Sequence, residues 1–424
     1  MRILVQNEWR IKAIFITIVC MTGSLFISRI LLSVSLMFFI AIAVIHTGFP
    51  GQVRKFLQTP LLAGLSLLFF IPFVSGLWCT DTSEWLDVVI RKLPFLLLPL
   101  AFAGDWQLKE KDWRLISYCF IVFTLLACCQ SLVMYLREAG SINESYLRAK
   151  TIPVPPDGDH VRFSWLVWIA IMISVLLSET VAGPKRWWLI AAAIFLAAYL
   201  HILSARTGLA MLYLSAACYA LFKAKRRPRQ SVIVILSLIV ILVTGWFCFP
   251  TFSNRIRYTL YDLSFVKKNE YRSGTSDGNR VASFRAGQAL IEQHPLLGVG
   301  AGDVWNEVSD WYDKNVIGLK ESDKLYPSNE WLMYGCMAGL PGVLLFTGII
   351  FLPLYIKKIK HRFFRTVFHV TAIAGFLVET SLEMQYGIFI YTFFGLWWWK
   401  WHCFENDKMP VIQPGIEAGM PERR

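Results

Sequence analysis

At 424 residues, 56% of them hydrophobic and 15% aromatic, with a mean hydropathy of +0.50, the chain is too apolar to leave its surface to water. Only 17% of it is charged, which excludes a water-facing globular protein and leaves an integral membrane protein. The net charge of +13 does not signal a nucleic-acid partner: in 251–328 ten Lys and Arg are matched by ten Asp and Glu, and the excess lies in short clusters between apolar runs.

Those runs are about 17 to 25 residues long, the length a helix needs to cross ~30 Å of hydrocarbon, and too continuous for the strands of a barrel. The expected fold is an all-α integral membrane protein of about twelve transmembrane helices. Nine spans fall near 11–28, 30–46, 60–78, 93–103, 115–136, 163–182, 187–203, 207–222 and 232–249, the fourth being short and holding Pro94 and Pro99. A mainly helical external loop domain over 251–328 follows, then three spans near 330–356, 367–383 and 387–401. The domain boundaries are thus 1–250, 251–328 and 329–404, with 405–424 a charged, Pro-containing cytoplasmic tail.

Lys and Arg mark the cytoplasmic side. Placing Arg10 and Lys12 inside puts Arg54/Lys55, Lys109/Lys111/Arg114, Lys185/Arg186, the Lys223–Arg229 cluster and the Lys357–Arg365 cluster inside as well. Both termini are then cytoplasmic and 251–328 lies outside. The external loop has no cysteine, consistent with an oxidising exterior without a disulfide framework. There is no CxxC pair and no HExxH helix, so a metal site has little sequence support. The apolar stretch after Arg10 is read as a retained helix rather than a cleaved signal.

Three external places carry residues that membrane packing explains poorly. Arg206, in Ser204-Ala-Arg-Thr-Gly208, sits in a turn so short that it lies at the membrane boundary, either as a snorkelling cation or as a fixed anion ligand. Arg280, in Ser276-Asp-Gly-Asn-Arg-Val-Ala-Ser-Phe284, falls in the first turn of a helix capped by Asp277 or Asn279 and closed by His294-Pro295. Its guanidinium and the free amides of that turn suit a phosphate; a salt bridge to Asp277 is the alternative. The third place is Pro295-Leu-Leu-Gly298-Val-Gly300-Ala-Gly302, with Tyr326-Pro-Ser328-Asn329-Glu330-Trp331 where the chain returns to the membrane. No strand precedes the glycines, so they make a tight turn for close backbone packing rather than a nucleotide site. Gly339-Leu-Pro-Gly342 reads as a helix kink.

Arg206 after a mid-chain span, Arg280-Val-Ala-Ser-Phe284, Pro295-x-x-Gly-x-Gly-x-Gly302, Pro327-x-Asn329-x-x-Leu332 and Gly339-x-x-Gly342 together resemble the O-antigen ligase and polymerase superfamily. The motifs lie within 204–342, with weaker echoes at Arg91-Lys-Leu-Pro94 and Glu383-Met-Gln-Tyr-Gly387. The resemblance implies a glycosyltransferase on the outer face of the bacterial inner membrane. Such an enzyme moves a glycan from undecaprenyl diphosphate to an acceptor, either the lipid A core (ligase) or a growing glycan (polymerase). It further implies inverting chemistry with no metal or cofactor, and Arg206 and Arg280 on the donor diphosphate.

One departure stands out. Ligases carry His immediately before the Asn of the Pro-x-Asn motif, as the base for the acceptor hydroxyl, and this chain has Ser328-Asn329, a residue unable to act as a base at neutral pH. Glu330, His294 and His160 are the candidate replacements, unless leaving-group departure drives the reaction without a strong base. A lipid-linked sugar transporter is a rival reading, weakened by the absence of a second large outer loop, and a membrane scaffold is another. The Pro-rich loop 137–162 is expected to form an external flap with His160 and Arg162 able to meet glycan or phosphate. Trp305, Trp311 and Tyr312 either stack on sugar or pack the external domain. Glu379 and Glu383, read as a turn apart near an outer helix end, are costly places for a carboxylate.

Overall fold

Prolines, glycines and capping side chains divide the chain into helices, and the computed structural model describes residues 2–148, 150–224, 228–266, 274–356 and 362–403. The tail 405–424 and the basic residues at 225–227, 267–268, 272, 357–358 and 360 lie outside the described residues. Among the described residues the secondary structure is helical throughout, with no strand.

The first half comprises α1 (Arg2–Ser24), α2 (Arg29–Val44), α3 (Phe49–Gln58), α4 (Pro60–Ser75), α5 (Thr82–Lys92), α6 (Pro94–Phe102), α7 (Glu110–Arg137) and α8 (Ala139–Ser145). Then come α9 (His160–Thr180), α10 (Pro184–Leu203), α11 (Arg206–Ala224), α12 (Pro228–Cys248), α13 (Pro250–Val266), α14 (Asp277–Gln293), α15 (Val304–Asn315), α16 (Glu330–Tyr355), α17 (Arg362–Phe376) and α18 (Gln385–Cys403). Among the described residues five helices, α7, α9, α10, α12 and α16, are long and apolar enough to cross a membrane, or six if α2 and α3, bent by 105°, make one span.

That is fewer than the twelve expected, because several apolar runs are interrupted. The 93–103 run is a nine-residue helix, α6, about 14 Å long and too short to cross alone. The 60–78 run stops at Ser75, and the 367–383 run stops at Phe376. Residues 377–384 are irregular apart from one 3-10 turn, Ser381–Glu383, so Glu379 and Glu383 do not share a helix face as expected. The 137–162 loop is helical in α8, since its prolines begin only at Pro153. Ile142 and Tyr146 are buried there, and the Tyr146 hydroxyl donates to Leu203 O at 2.6 Å, which anchors the loop.

Helices α9, α10 and α11 pack together, α4 lies on α16, and α6 on α18. Helices α14 and α15 form a second, smaller core with α5 and the start of α16, through Val88, Ala286, Leu290, Val308, Tyr312 and Met337. Tyr312 is buried and Trp311 packs on it, while Trp305 meets Tyr326 at 4.8 Å between rings. The rings of Trp305, Trp311 and Tyr312 are thus all engaged in packing contacts, Trp305 and Trp311 remaining half-buried.

The glycine-rich loop docks on a break in α16. Ala338 and Gly339 leave helical geometry, Gly339 at φ +65°, which strands backbone groups inside an apolar helix. The loop meets them: Val299 N–H donates to Cys336 O (2.7 Å), Gly300 N–H to Met337 O (3.2 Å), and Pro295 O accepts from Leu340 N–H (2.8 Å). Gly298, at φ +67°, lies so close that a Cβ would collide with the Cys336 carbonyl. Gly298→Ala is expected to destabilise the protein by on the order of 3 kcal/mol, combining left-handed strain with a backbone clash. Gly348→Ala, in open space on the same helix, is expected to leave the unfolding midpoint unchanged or slightly raised. Thermal unfolding in detergent distinguishes them; equal midpoints would disprove the docking role.

Candidate active site

The α14 N-terminus is already occupied by an anion. Asp262, fully buried on α13, accepts from Ser276 N–H (2.8 Å), Asp277 N–H (2.6 Å) and Gly278 N–H (3.2 Å). Neither Asp277 nor Asn279 caps the helix, and Ser276, at the N-cap position, makes no side-chain capping bond. A full carboxylate charge on three amides outcompetes a local cap. The expected pairing of Arg280 with free amides is therefore replaced by arginine side chains. The hydroxyl of Tyr258 also accepts from Ser276 N–H, and burial pushes Tyr258 up to about 12, with Asp262 adding to the effect.

Four arginines gather around this turn. Arg206, the first residue of α11, is ion-paired to Asp277 and donates to Ser276 Oγ at 3.2 Å. Arg280 lies one turn beyond Asp277 on the same helix, and its guanidinium reaches Glu379 at 2.7 Å rather than Asp277. Arg162, near the start of α9, approaches Glu379 at 3.7 Å and Asp159 at 3.6 Å, and donates to Thr380 O at 3.0 Å. Arg255, on α13, is buried over the Tyr146 ring and donates to Lys150 O at 3.3 Å. Burial holds Arg255 below its ordinary range, and nearby Arg206 acts in the same direction. The Nε atoms of Arg162 and Arg255 and one oxygen of Asp277 are buried without a hydrogen-bond partner among the described residues.

The segment after α17 joins this cluster to a second one. Glu330 is fully buried, accepts from Leu382 N–H with one oxygen, and leaves the other without a partner among the described residues. Lys92, the last residue of α5 and 1% exposed, donates to Glu383 (2.6 Å), Leu382 O (3.2 Å) and the Tyr334 hydroxyl (3.4 Å). A cavity of about 260 Å³ opens beside it, lined by Arg29, Arg91 and Glu383 together with Leu32, Leu36 and Phe389.

The remaining candidates divide. Ser328 is buried, its Oγ 3.1 Å from Ser283 Oγ, which locks α16 onto α14. Asn329 caps α16 by accepting from Trp331 N–H (2.8 Å) and Leu332 N–H (3.2 Å), and donates to Leu377 O (3.0 Å). His160, first residue of α9, lies within electrostatic reach of Arg255 and Arg280. His294 is exposed at the far end of α14, about 21 Å along the helix from Arg280, and is not brought to the arginines. Sequence reasoning missed Asp262, Arg255 and Lys92. Only Lys92 had a signal, the Arg91-Lys-Leu-Pro94 echo.

The turn between α10 and α11, the start of α14 and the Pro-x-Asn return to α16 thus converge on one polar centre. Residues 191–347 match the family model described as O-antigen ligase. Over those residues the chain is similar to that family. No curated protein matches the chain in sequence. The O-antigen ligase match implies ligase- or polymerase-type glycosyl transfer with lipid-linked glycan substrates, in a membrane protein. It includes Arg206, Arg255, Arg280 and Glu330, whereas Lys92, Arg162, Glu379 and Glu383 lie outside the matched residues.

Proposed function

We propose that the protein transfers a glycan from undecaprenyl diphosphate to an acceptor sugar, the lipid A core, on the periplasmic face of a bacterial inner membrane. The observation that carries this reading is the convergence of Arg162, Arg206, Arg255 and Arg280 near the start of α14, where Asp159, Asp277 and Glu379 face the guanidinium groups and Asp262 is taken up by backbone amides. An arriving diphosphate meets several guanidinium forks, whose geometry suits phosphate oxygens. Arg206 and Arg280, the more open pair at 32% and 28% exposure, would hold the diphosphate and stabilise the charge that grows on it as the sugar leaves. Arginines supplying that charge support a metal-independent displacement without a cofactor, and its inverting course is taken from the family resemblance.

In this reading the chain crosses the membrane about twelve times, counting short and broken helices, with 251–328 periplasmic and both termini cytoplasmic, following the Lys and Arg clusters. The cavity beside Glu383, part cationic and part apolar, suits the junction between a diphosphate and its prenyl chain. Ser328 in place of His favours a second reading, a surface-polysaccharide polymerase, because the acceptor-activating group differs from the ligase pattern.

The test is a gel of surface glycolipid from a strain lacking the protein, beside the complemented strain. Loss of every repeat-bearing band, with glycan held on its carrier, identifies a ligase. Core bearing a single repeat identifies a polymerase, and an unchanged ladder removes O-antigen transfer.

A further inference from the structure

Resting on the transferase reading, we propose that Glu379 is the carboxylate that takes the proton from the acceptor hydroxyl, and that the donor diphosphate itself releases it for that task. The backbone around Glu379 is pinned on both sides. Asn329 donates to Leu377 O (3.0 Å), Arg162 donates to Thr380 O (3.0 Å), and Leu382 N–H donates to Glu330. The Glu379 side chain, by contrast, is held by guanidinium groups: Arg280 at 2.7 Å and Arg162 at 3.7 Å. The segment is thus held by Asn329, Arg162 and Glu330, and Arg280 is the partner that the carboxylate can exchange while its backbone stays.

The neighbouring carboxylates lack this combination. Glu330 is wholly buried, Glu383 is tied to Lys92, and Asp277 to Arg206. Ser328 is engaged with Ser283, and His294 is at the other end of α14. Glu379 is 16% exposed beside an Arg280 that is 28% exposed, so a ligand approaching from solvent reaches both.

Without donor, Glu379 occupies the guanidinium N–H groups that a diphosphate would take. When the diphosphate binds, Arg280 turns to its oxygens while Arg162 stays on Thr380 O, and Glu379 Oε2 loses its donor next to the sugar. The acceptor oxygen then forms a bond to the anomeric carbon, and the bond from that carbon to the diphosphate oxygen breaks. Its electron pair leaves with undecaprenyl diphosphate. The hydroxyl proton passes to Glu379, which returns it to solvent as the product departs. Coupling release to donor binding prevents the carboxylate from activating a hydroxyl before a donor is present.

The test uses the full chain in detergent or nanodiscs, with farnesyl diphosphate as binding probe and the cellular glycolipid ladder as activity readout. Glu379→Gln is expected to bind the probe at least as tightly as wild type, because the competing charge is gone, while transfer falls by about 100-fold or more. Wild-type transfer by Glu379→Gln overturns the proposal, as does transfer lost only in His160→Gln. Loss of probe binding in a folded Glu379→Gln protein also overturns it, by making the residue a support. Should the Gln variant not accumulate, Glu379→Asp decides: a tenfold loss with binding intact supports the role, and unchanged transfer removes it. Failure of the transferase reading looks different, since neither wild type nor Arg280→Ala would then affect probe binding or the ladder.

Discussion

Arg280→Ala is expected to abolish visible glycan transfer, a loss on the order of 10²–10³-fold, with lipid-linked glycan accumulating and the protein still present in the membrane. The side chain is 28% exposed and, among the described residues, is anchored at its tip to Glu379, so its removal opens no core cavity. It does take away a forked donor from the four-arginine cluster. Arg280→Lys is expected to recover little, because an ammonium cannot present two parallel N–H groups to one phosphate. Arg206→Ala is expected to follow the same direction, leaving Asp277 unpaired near the site. Immunoblots of the membrane fraction beside the glycolipid gel provide the check. A normal ladder from Arg280→Ala would sink the assignment of the diphosphate to this cluster.

The second large effect is on stability. Lys92→Met is expected to destabilise the protein by about 3–5 kcal/mol, since it strips the only ammonium found within bonding reach of Glu383 from a 1% exposed position among the described residues. Its loss leaves Glu383 in a poorly hydrated space with no cation bonded to it among the described residues. Tyr334 also loses a cation 4.7 Å from its ring centroid. Lys92→Met combined with Glu383→Gln is expected to regain part of the loss, because the uncompensated charge is then removed. Unfolding midpoints of the two single variants, the double variant and wild type form a cycle. Strict additivity would mean that the pair is not coupled.

Much of the architecture was legible along the chain. Apolar runs marked a membrane protein, Asn329 and Pro295 marked where helices start and stop, and the glycines of 298–302 marked a close backbone approach that the break in α16 realises. Arg206 stood out because a cation in a short turn expected outside runs against the charge bias of the flanking loops, and Arg280 because it falls in the first turn of a helix. Such signals are short-range: a helix period, a cap or a positive φ is set by residues a few positions apart.

The charge pairing was not legible, because it joins residues far apart in sequence. Asp262 holds the α14 amides that the sequence offered to a phosphate, Arg280 reaches forward to Glu379, and Arg162 reaches the same carboxylate from α9. Glu379 and Glu383 were read as one helix face, yet the helix ends at Phe376 and sends them to opposite clusters. Local pattern establishes which groups are present and which side of the membrane they favour. Which carboxylate meets which cation follows only from packing, since ion pairs form between groups within a few ångströms and bring elements together without leaving a periodic trace in the sequence.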